Sequence, residues 1–260
     1  MKIVALVKYV PDATGDREFD DDGTVDREGS DGILSELDEY AIEQSLQIAD
    51  EGDDVEVVAL TVGPDDAADA IKKALQMGAN SGVHVLDDAI HGSDALATSA
   101  ILAAAISQIE PDLVITGMAS TDGVMGVIPV MVAERLGWPA ATLANELSVE
   151  GDKVSIRREG DVTSQRIEAS LPAVVSVTDQ SGEARYPSMK GIMAAKRKPV
   201  EEWDLEDLEL DEDGVGFEAA RTRVVETRER PPKEAGKVIT DEDGSGATAL
   251  TEFLVAGKYL

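Results

Sequence analysis

The chain has 260 residues, with 53 Asp and Glu against 23 Lys and Arg, a formal net charge of −30 and a hydrophobic share of 43%. Binding a polyanion starts from surplus Lys and Arg, so nucleic acid is excluded as a partner, while the apolar share is enough to bury a core and excludes an acidic disordered chain. Cysteine is absent and only His84 and His91 are present, which leaves no thiolate nucleophile, no Cys-type metal ligation and no H-E-x-x-H chemistry; no catalytic residue and no metal ligand is expected.

Residues 2–10 read as a first strand, nearly unbroken in hydrophobicity and therefore buried on both faces; the run is too short for a signal peptide and contains Lys8. Residues 12–31 carry nine acids and Asp22-Gly23, the pattern of a solvated hairpin or loop. A helix follows over 36–50 with Ser35 as its N-cap and Leu37, Ala41, Leu46 and Ala49 among its apolar positions. Residues 55–62 form the second strand, and Gly63-Pro64-Asp65-Asp66 opens a helix that Gly78 closes. The third strand is 83–86, where His84 reads as a structural strand residue. Ser93-Asp94 caps a helix to about Ile109, Pro111 breaks it, and 112–117 is the fourth strand.

Beyond Trp138-Pro139 the pattern changes. Residues 141–149, 153–158 and 165–177 read as strands, with Glu150-Gly151-Asp152 as a tight turn and Pro172 opening the last run; these are expected to add antiparallel strands to the parallel sheet. From Arg185 the chain is irregular, with 201–213, nine acids and no base, as a solvated connector. Pro231-Pro232 breaks the chain before a last helix within 247–260, expected to be an arm. Strands alternating with helices predict an α/β fold, an open and mostly parallel sheet with helices on both faces. No segment approaches the roughly 18 apolar residues that span a bilayer, so the expectation is a cytoplasmic protein with no direct membrane insertion.

Two segments stand out chemically. Gly117 to Pro129 lies between a buried strand and a helix ending at Leu136, where ligands bind in open α/β sheets: glycines admit backbone N–H groups to phosphate oxygens and the helix N-terminus favours an anion. The spacing fits neither dinucleotide nor P-loop fingerprints, so it supports either a phosphate-binding loop or an ordinary strand-to-helix turn, and the lack of a lysine argues against phosphoryl transfer. The second segment, 184–199, holds five bases and no acid (Arg185, Lys190, Lys196, Arg197, Lys198), interleaved with Tyr186, Met189, Ile192 and Met193. It reads as a docking surface with apolar anchors in a basic rim, or as a loop folded back on the core.

Eight motifs carry a resemblance in order along nearly the whole chain: Lys2-Ile3-Val4-Ala5-Leu6-Val7-Lys8 with Val10-Pro11-Asp12, the helix start Glu39-Tyr40-Ala41-Ile42-Glu43, Val62-Gly63-Pro64, Ala74-Leu75-Gln76-Met77-Gly78-Ala79, Gly117 with Asp122-Gly123, Leu136-Gly137-Trp138-Pro139, Leu171-Pro172-Ala173-Val174-Val175, and Pro231-Pro232 with Ala235-Gly236. The sequence resembles the beta subunit of electron transfer flavoprotein. The resemblance implies a Rossmann-like, nucleotide-binding domain (1–225) and an arm (226–260) packing on an alpha subunit that holds most of the FAD contacts. This subunit would hold AMP, or the adenylate half of a second FAD, at Leu6, Ser35, Leu37, Asp38, Val62, Gly117, Asp122, Gly123, Val124, Gly126, Val127 and Ile128. Asp122-Gly123 match the family pattern, whereas Val124 to Val127 replace its acidic, hydroxyl or amide side chains, so phosphate contacts there fall to backbone N–H groups. Ser35-Glu36-Leu37-Asp38 likewise departs from an Asn-Pro-Phe/Tyr opening.

By the same resemblance, 184–199 is the recognition loop, with Met189 in the place of an anchoring leucine, and Glu159 lies near the alpha subunit with Arg157 and Arg158 beside it. Electrons would come from dehydrogenases such as acyl-CoA dehydrogenases and go to a membrane quinone oxidoreductase. The alternative is a stand-alone adenine-nucleotide sensor of the universal-stress type. The uniform acid excess predicts a protein of a salt-loving organism, since screening over a few Å makes self-repulsion tolerable.

Overall fold

A computed structural model describes residues 1–15, 17–27, 29–228, 231, 236, 238–241 and 244–259. The chain divides into two compact units, Met1–Val225 and Glu226–Leu260. In the first, strand β1 (Lys2–Leu6) is followed by a small antiparallel pair, β2 (Tyr9–Pro11) and β3 (Gly32–Leu34). The expected first strand therefore ends early. The N–H of Lys8 leaves the ladder to meet Asp38 Oδ2 at 2.9 Å, and residues 9–11 turn away to pair with 32–34.

Helix α1 (Glu36–Glu51) leads to β4 (Glu56–Val62), a short 3₁₀ turn and α2 (Ala68–Met77); then come β5 (Ser81–Val85), α3 (Ala95–Ile109), β6 (Leu113–Gly117) and α4 (Ile128–Leu136). Asp94 caps α3 by accepting the N–H groups of Leu96 and Ala97. His84 is a buried strand residue whose Nε2 lies 2.9 Å from the Gly63 carbonyl oxygen.

β7 (Ala140–Ala144), β8 (Glu146–Glu150), β9 (Lys153–Glu159), β10 (Ser164–Ser170) and β11 (Ala173–Val177) complete the strand-rich part. The expected run 165–177 is thus two strands separated at Leu171-Pro172. The antiparallel strands do not extend the main sheet: β8, β9 and β10 form a three-stranded sheet of their own, whereas β7 and β11 join the main sheet in parallel. After α5 (Met189–Ala195), β12 (Val200–Trp203) pairs in parallel with β5, so part of the expected connector is an edge strand; α6 (Gly216–Ala219) follows. The second unit contains α7 (Gly246–Ala256). Pro232 and Ala235 of the Pro231-Pro232 and Ala235-Gly236 pattern lie outside the described residues. Among the described residues, no helix is long and apolar enough to cross a membrane.

The main sheet has seven strands in the order β12-β5-β4-β1-β6-β11-β7, parallel throughout. Alternation on its strands feeds two faces. Val4, Leu6, Val58, Leu60, Val83 and Val85 pack with α3 and α4, while Ala5, Val57 and Ala59 pack with α1 and α2. Ile3, Leu113, Ile115 and Val175 form a further cluster with Val154 and Ile156 of the small sheet. From β1 the chain builds outward through β4 and β5, then returns to place β6 on the other flank of β1. The direction of winding reverses between β1 and β6, and in open α/β sheets the crevice at the carboxyl ends of such strands is where ligands bind.

Candidate functional site: the crevice between β1 and β6

Three segments meet at that reversal: Leu6 to Lys8 leaving β1, Ser35 to Asp38 entering α1, and Gly117 to Ile128 between β6 and α4. Asp38 links them. It is buried, and its carboxylate accepts the N–H of Lys8 and that of Gly117, joining the ends of β1 and β6. Burial pushes the carboxyl up to about 7, against the pull of those two N–H groups and the Lys8 charge. Gly117 has no room for a side chain: a Cβ there would stand 2.5 Å from Asp38 Oδ1 and 2.8 Å from the Leu37 carbonyl oxygen.

Ser35 was expected as a capping side chain. It stands at the N-cap position but makes no side-chain cap bond; its buried hydroxyl instead accepts the Thr121 N–H at 3.4 Å, spanning the crevice.

Asp122 has a different task. Its side chain is only 3% exposed, and it accepts Lys8 Nζ at 2.9 Å and Arg27 Nη2 at 2.8 Å. Its own Oδ1 also accepts the Gly123 N–H at 2.6 Å. Burial pushes this carboxyl up, but Lys8, Ser120 and Arg27 outweigh it and hold the group well below the usual carboxylate range. A second guanidinium, Arg17, donates through Nη1 to the Thr121 carbonyl at 2.7 Å. Lys8, Arg17 and Arg27 are site residues that the sequence reading did not single out. The available signal was that Arg17 and Arg27 are the only bases within residues 12–31.

Beyond Asp122 the segment turns outward, with Gly123, Val124, Met125 and Gly126 exposed and Val127 and Ile128 half-buried. Val124 and Gly126 both have positive φ, 54° and 65°. Among the described residues, no backbone partner is found for the N–H groups of Met125, Gly126, Val127 or Ile128. Among the described residues the buried atoms Thr121 Oγ1 and Arg17 Nε also have no hydrogen-bond partner. N–H groups without a backbone partner before a helix N-terminus fit an adenylate phosphate and do not demand one. Val62 closes the neighbouring strand end, half-buried.

The 184–199 segment lies away from the crevice. Two of its five bases are committed inward. Arg185 grips the buried Glu43 of α1 through Nε at 2.7 Å, Nη2 at 3.1 Å and its own N–H at 3.0 Å, and reaches Asp50 at 2.9 Å. Lys198 Nζ donates to the carbonyls of Leu75, Gly78 and Ala79 at the end of α2. Ser188 caps α5 by accepting the Gly191 N–H, and three side chains are displayed: Tyr186 at 93% exposure, Met189 at 77% and Met193 at 61%, with Ile192 half-buried. Glu159 pairs with Arg157, which also reaches Glu146 at 2.9 Å.

Fold and crevice together define an open, parallel α/β protein of the Rossmann-like class. The model of the electron transfer flavoprotein domain matches residues 22–208. Over 264 residues the chain is 44% identical to the electron transfer flavoprotein subunit beta of Mycobacterium tuberculosis and 46% to that of Mycobacterium leprae, with 99% of each sequence covered. It is also 34% identical, over 92% of each sequence, to the Caffeyl-CoA reductase-Etf complex subunit CarD of Acetobacterium woodii. The chain belongs to the electron transfer flavoprotein beta subunit family. Members of that family are electron carriers working in a complex that contains FAD, alongside an alpha subunit and dehydrogenases. This membership displaces the stand-alone sensor as a reading.

Proposed function

We propose that the chain is the beta subunit of a heterodimeric electron transfer flavoprotein that takes electrons from dehydrogenases and passes them toward a membrane quinone oxidoreductase. FAD supplies the redox chemistry when bound, and this chain supplies binding and orientation. The observation that carries the reading is the convergence of Lys8, Ser35, Asp38, Gly117 and Asp122 at the winding reversal, next to the N–H groups of Met125 to Ile128, which have no backbone partner among the described residues. AMP, or the adenylate part of a second FAD, would lie there. Leu6 and Val62 would flank it, Ser35, Leu37 and Asp38 would hold the near wall, and Gly117, Asp122, Gly123, Val124, Gly126, Val127 and Ile128 the phosphate side.

Dehydrogenases, acyl-CoA dehydrogenases among them, would dock on Tyr186, Met189, Ile192 and Met193, with Arg185 bracing the segment from behind. Glu159 and the arm at 226–260 would face the alpha subunit. Co-expression with the alpha subunit, followed by an absorbance spectrum and nucleotide extraction, tests this. One flavin plus AMP per heterodimer indicates a simple carrier, two flavins a bifurcating one, and flavin with no nucleotide in this chain refutes the crevice reading. The cytoplasmic, salt-loving setting is tested by a melting curve against KCl: equal or greater stability without salt would refute it.

A further inference from the structure

We propose that the acidic hairpin between β2 and β3 is a strap that closes over the crevice, with Arg17 and Arg27 as its positioning residues, and that salt strengthens its closure. The inference rests on the nucleotide reading of the crevice. The hairpin begins and ends beside β1, where β2 and β3 pair, and Phe19 bridges Val25 within it. Two guanidiniums hold it to the β6–α4 segment: Arg17 on the Thr121 carbonyl, and Arg27 on Asp122 at 2.8 Å and the Tyr9 carbonyl at 3.0 Å. Its tip reaches the segment that follows β5, where Asp22 Oδ2 lies 2.9 Å from His91 Nε2. The hairpin therefore touches loops beyond β5 and beyond β6, and β4 and β1 lie between those two strands in the sheet. Those are the strands whose ends, Val62 and Leu6, border the crevice.

Its charges act in opposite directions. Residues 12–31 hold nine acids and two bases, and Glu18, Asp20, Asp21 and Asp22 are exposed, so mutual repulsion opposes closure. Of its closing contacts the ion pair to the β6–α4 segment is sheltered, because the Asp122 side chain is 3% exposed and that of Arg27 25%, whereas the tip contact of Asp22 with His91 is exposed. Salt shortens the screening length from about 10 Å at 0.1 M to about 3 Å at 1 M, which weakens repulsion among exposed charges much more than a buried pair. Rising salt thus favours the closed strap. Among the described residues Arg17 Nε–H is buried without a partner, and it is a spare donor for an anionic ligand in the crevice.

The test uses the heterodimer, with hydrogen exchange over residues 17–27 and the release rate of AMP read at about 0.1 M and about 1 M KCl. Wild type should exchange and release more slowly at the higher salt. Arg27→Gln should speed both about tenfold at the lower salt, the loss expected for a hydrogen bond to a charged group, and Arg27→Lys, which keeps the pair with Asp122, should recover part of it. Arg17→Gln, which leaves Asp122 paired with both its cations, should speed both less, and it keeps the test open if Arg27→Gln does not fold. Exchange that is unchanged by Arg27→Gln, or faster in high salt, overturns the strap. AMP release unaffected by either variant overturns its role as a closure. If exchange behaves as expected but the heterodimer holds no AMP or FAD in this chain, the strap stands and the nucleotide reading fails.

Discussion

The crevice and the 184–199 segment use the same residue types in opposite ways. The crevice is assembled from positions far apart in sequence (Lys8, Arg27, Asp38, Asp122), and its polar side chains are turned onto one another. The 184–199 segment, proposed to dock partners, is local; its Arg185 and Lys198 are turned inward while Tyr186, Met189 and Met193 are displayed. In a chain of net charge −30, scarce cations serve as internal braces in both places. Apart from the remaining bases of 184–199, what that segment displays is apolar surface. The crevice should therefore be fragile to substitution in stability, and the displayed side chains of 184–199 fragile only in encounter.

The largest effect is expected at Gly117. Gly117→Ala drives a Cβ against Asp38 Oδ1 and the Leu37 carbonyl, neither of which can retreat without breaking the link between β1 and β6; overpacking of this kind costs about 3 kcal/mol in chemical denaturation. At Gly137, where a Cβ would meet nothing within 4 Å but φ is +67°, alanine should cost about 1 kcal/mol, through the backbone alone. Equal costs at the two sites would show that the crevice is looser than its geometry. Next comes Glu43→Ala, which takes three hydrogen bonds from Arg185, leaving it Asp50, and one from Gln47, at a cost of about 2 kcal/mol. That variant should also make 184–199 more open to limited proteolysis; an unchanged cleavage rate would mean that Arg185 is not the brace.

Asp38 gives the comparison a pH signature. Its carboxyl titrates near 7 in the folded chain, chiefly because it is buried, and at its ordinary lower value when unfolded. Folding then takes up a proton between the two values, so stability falls as pH rises from about 4 to about 7 and levels off above. Between pH 5 and 7 the loss should reach about 2 kcal/mol, and Asp38→Asn should flatten it. Denaturation midpoints that vary with pH equally in both proteins would remove Asp38 as the cause.

How much of this was legible follows from which interactions are local. β4, α3 with its Asp94 cap, β6 and α4 follow from apolar runs, capping residues and glycines within a few positions of one another. The parallel sheet was implied by strand alternation, and with it a ligand-binding place for the glycine segment after β6; the winding reversal depends on strand order, which alternation does not give. What periodicity cannot report is which distant residue will meet which. Lys8 stands at the end of an apolar run and Arg27 in an acidic loop, and only the fold brings them to Asp122. Glu201-Glu202-Trp203 of β12 reads as part of a charged connector because edge strands tolerate charge; its partner, β5, lies more than a hundred residues earlier. The small antiparallel sheet separates from the main one because Val154 and Ile156 turn toward Ile115 and Val175, giving it a core contact without joining the main ladder.

The smallest effect on stability, and the most telling for the docking side, belongs to Met189→Ala. At 77% exposure the side chain contributes little to the fold, so the denaturation midpoint should not move by more than about 0.5 kcal/mol. Electron transfer from a partner dehydrogenase should nevertheless slow about tenfold in its second-order rate, the effect of losing one apolar anchor at an interface centre. Nucleotide content should be untouched, because the side-chain hydrogen bonds that hold this segment run to Glu43, Asp50 and the end of α2 and to none of the crevice side chains named above. Lys190→Gln, beside it, should change the salt dependence of the rate more than the rate itself, since a rim charge steers encounter and an anchor holds the complex. If Met189→Ala lowered stability and left transfer unchanged, the displayed side chains would be part of the fold after all, and the contrast between inward cations and outward apolar anchors would fail where it is most exposed.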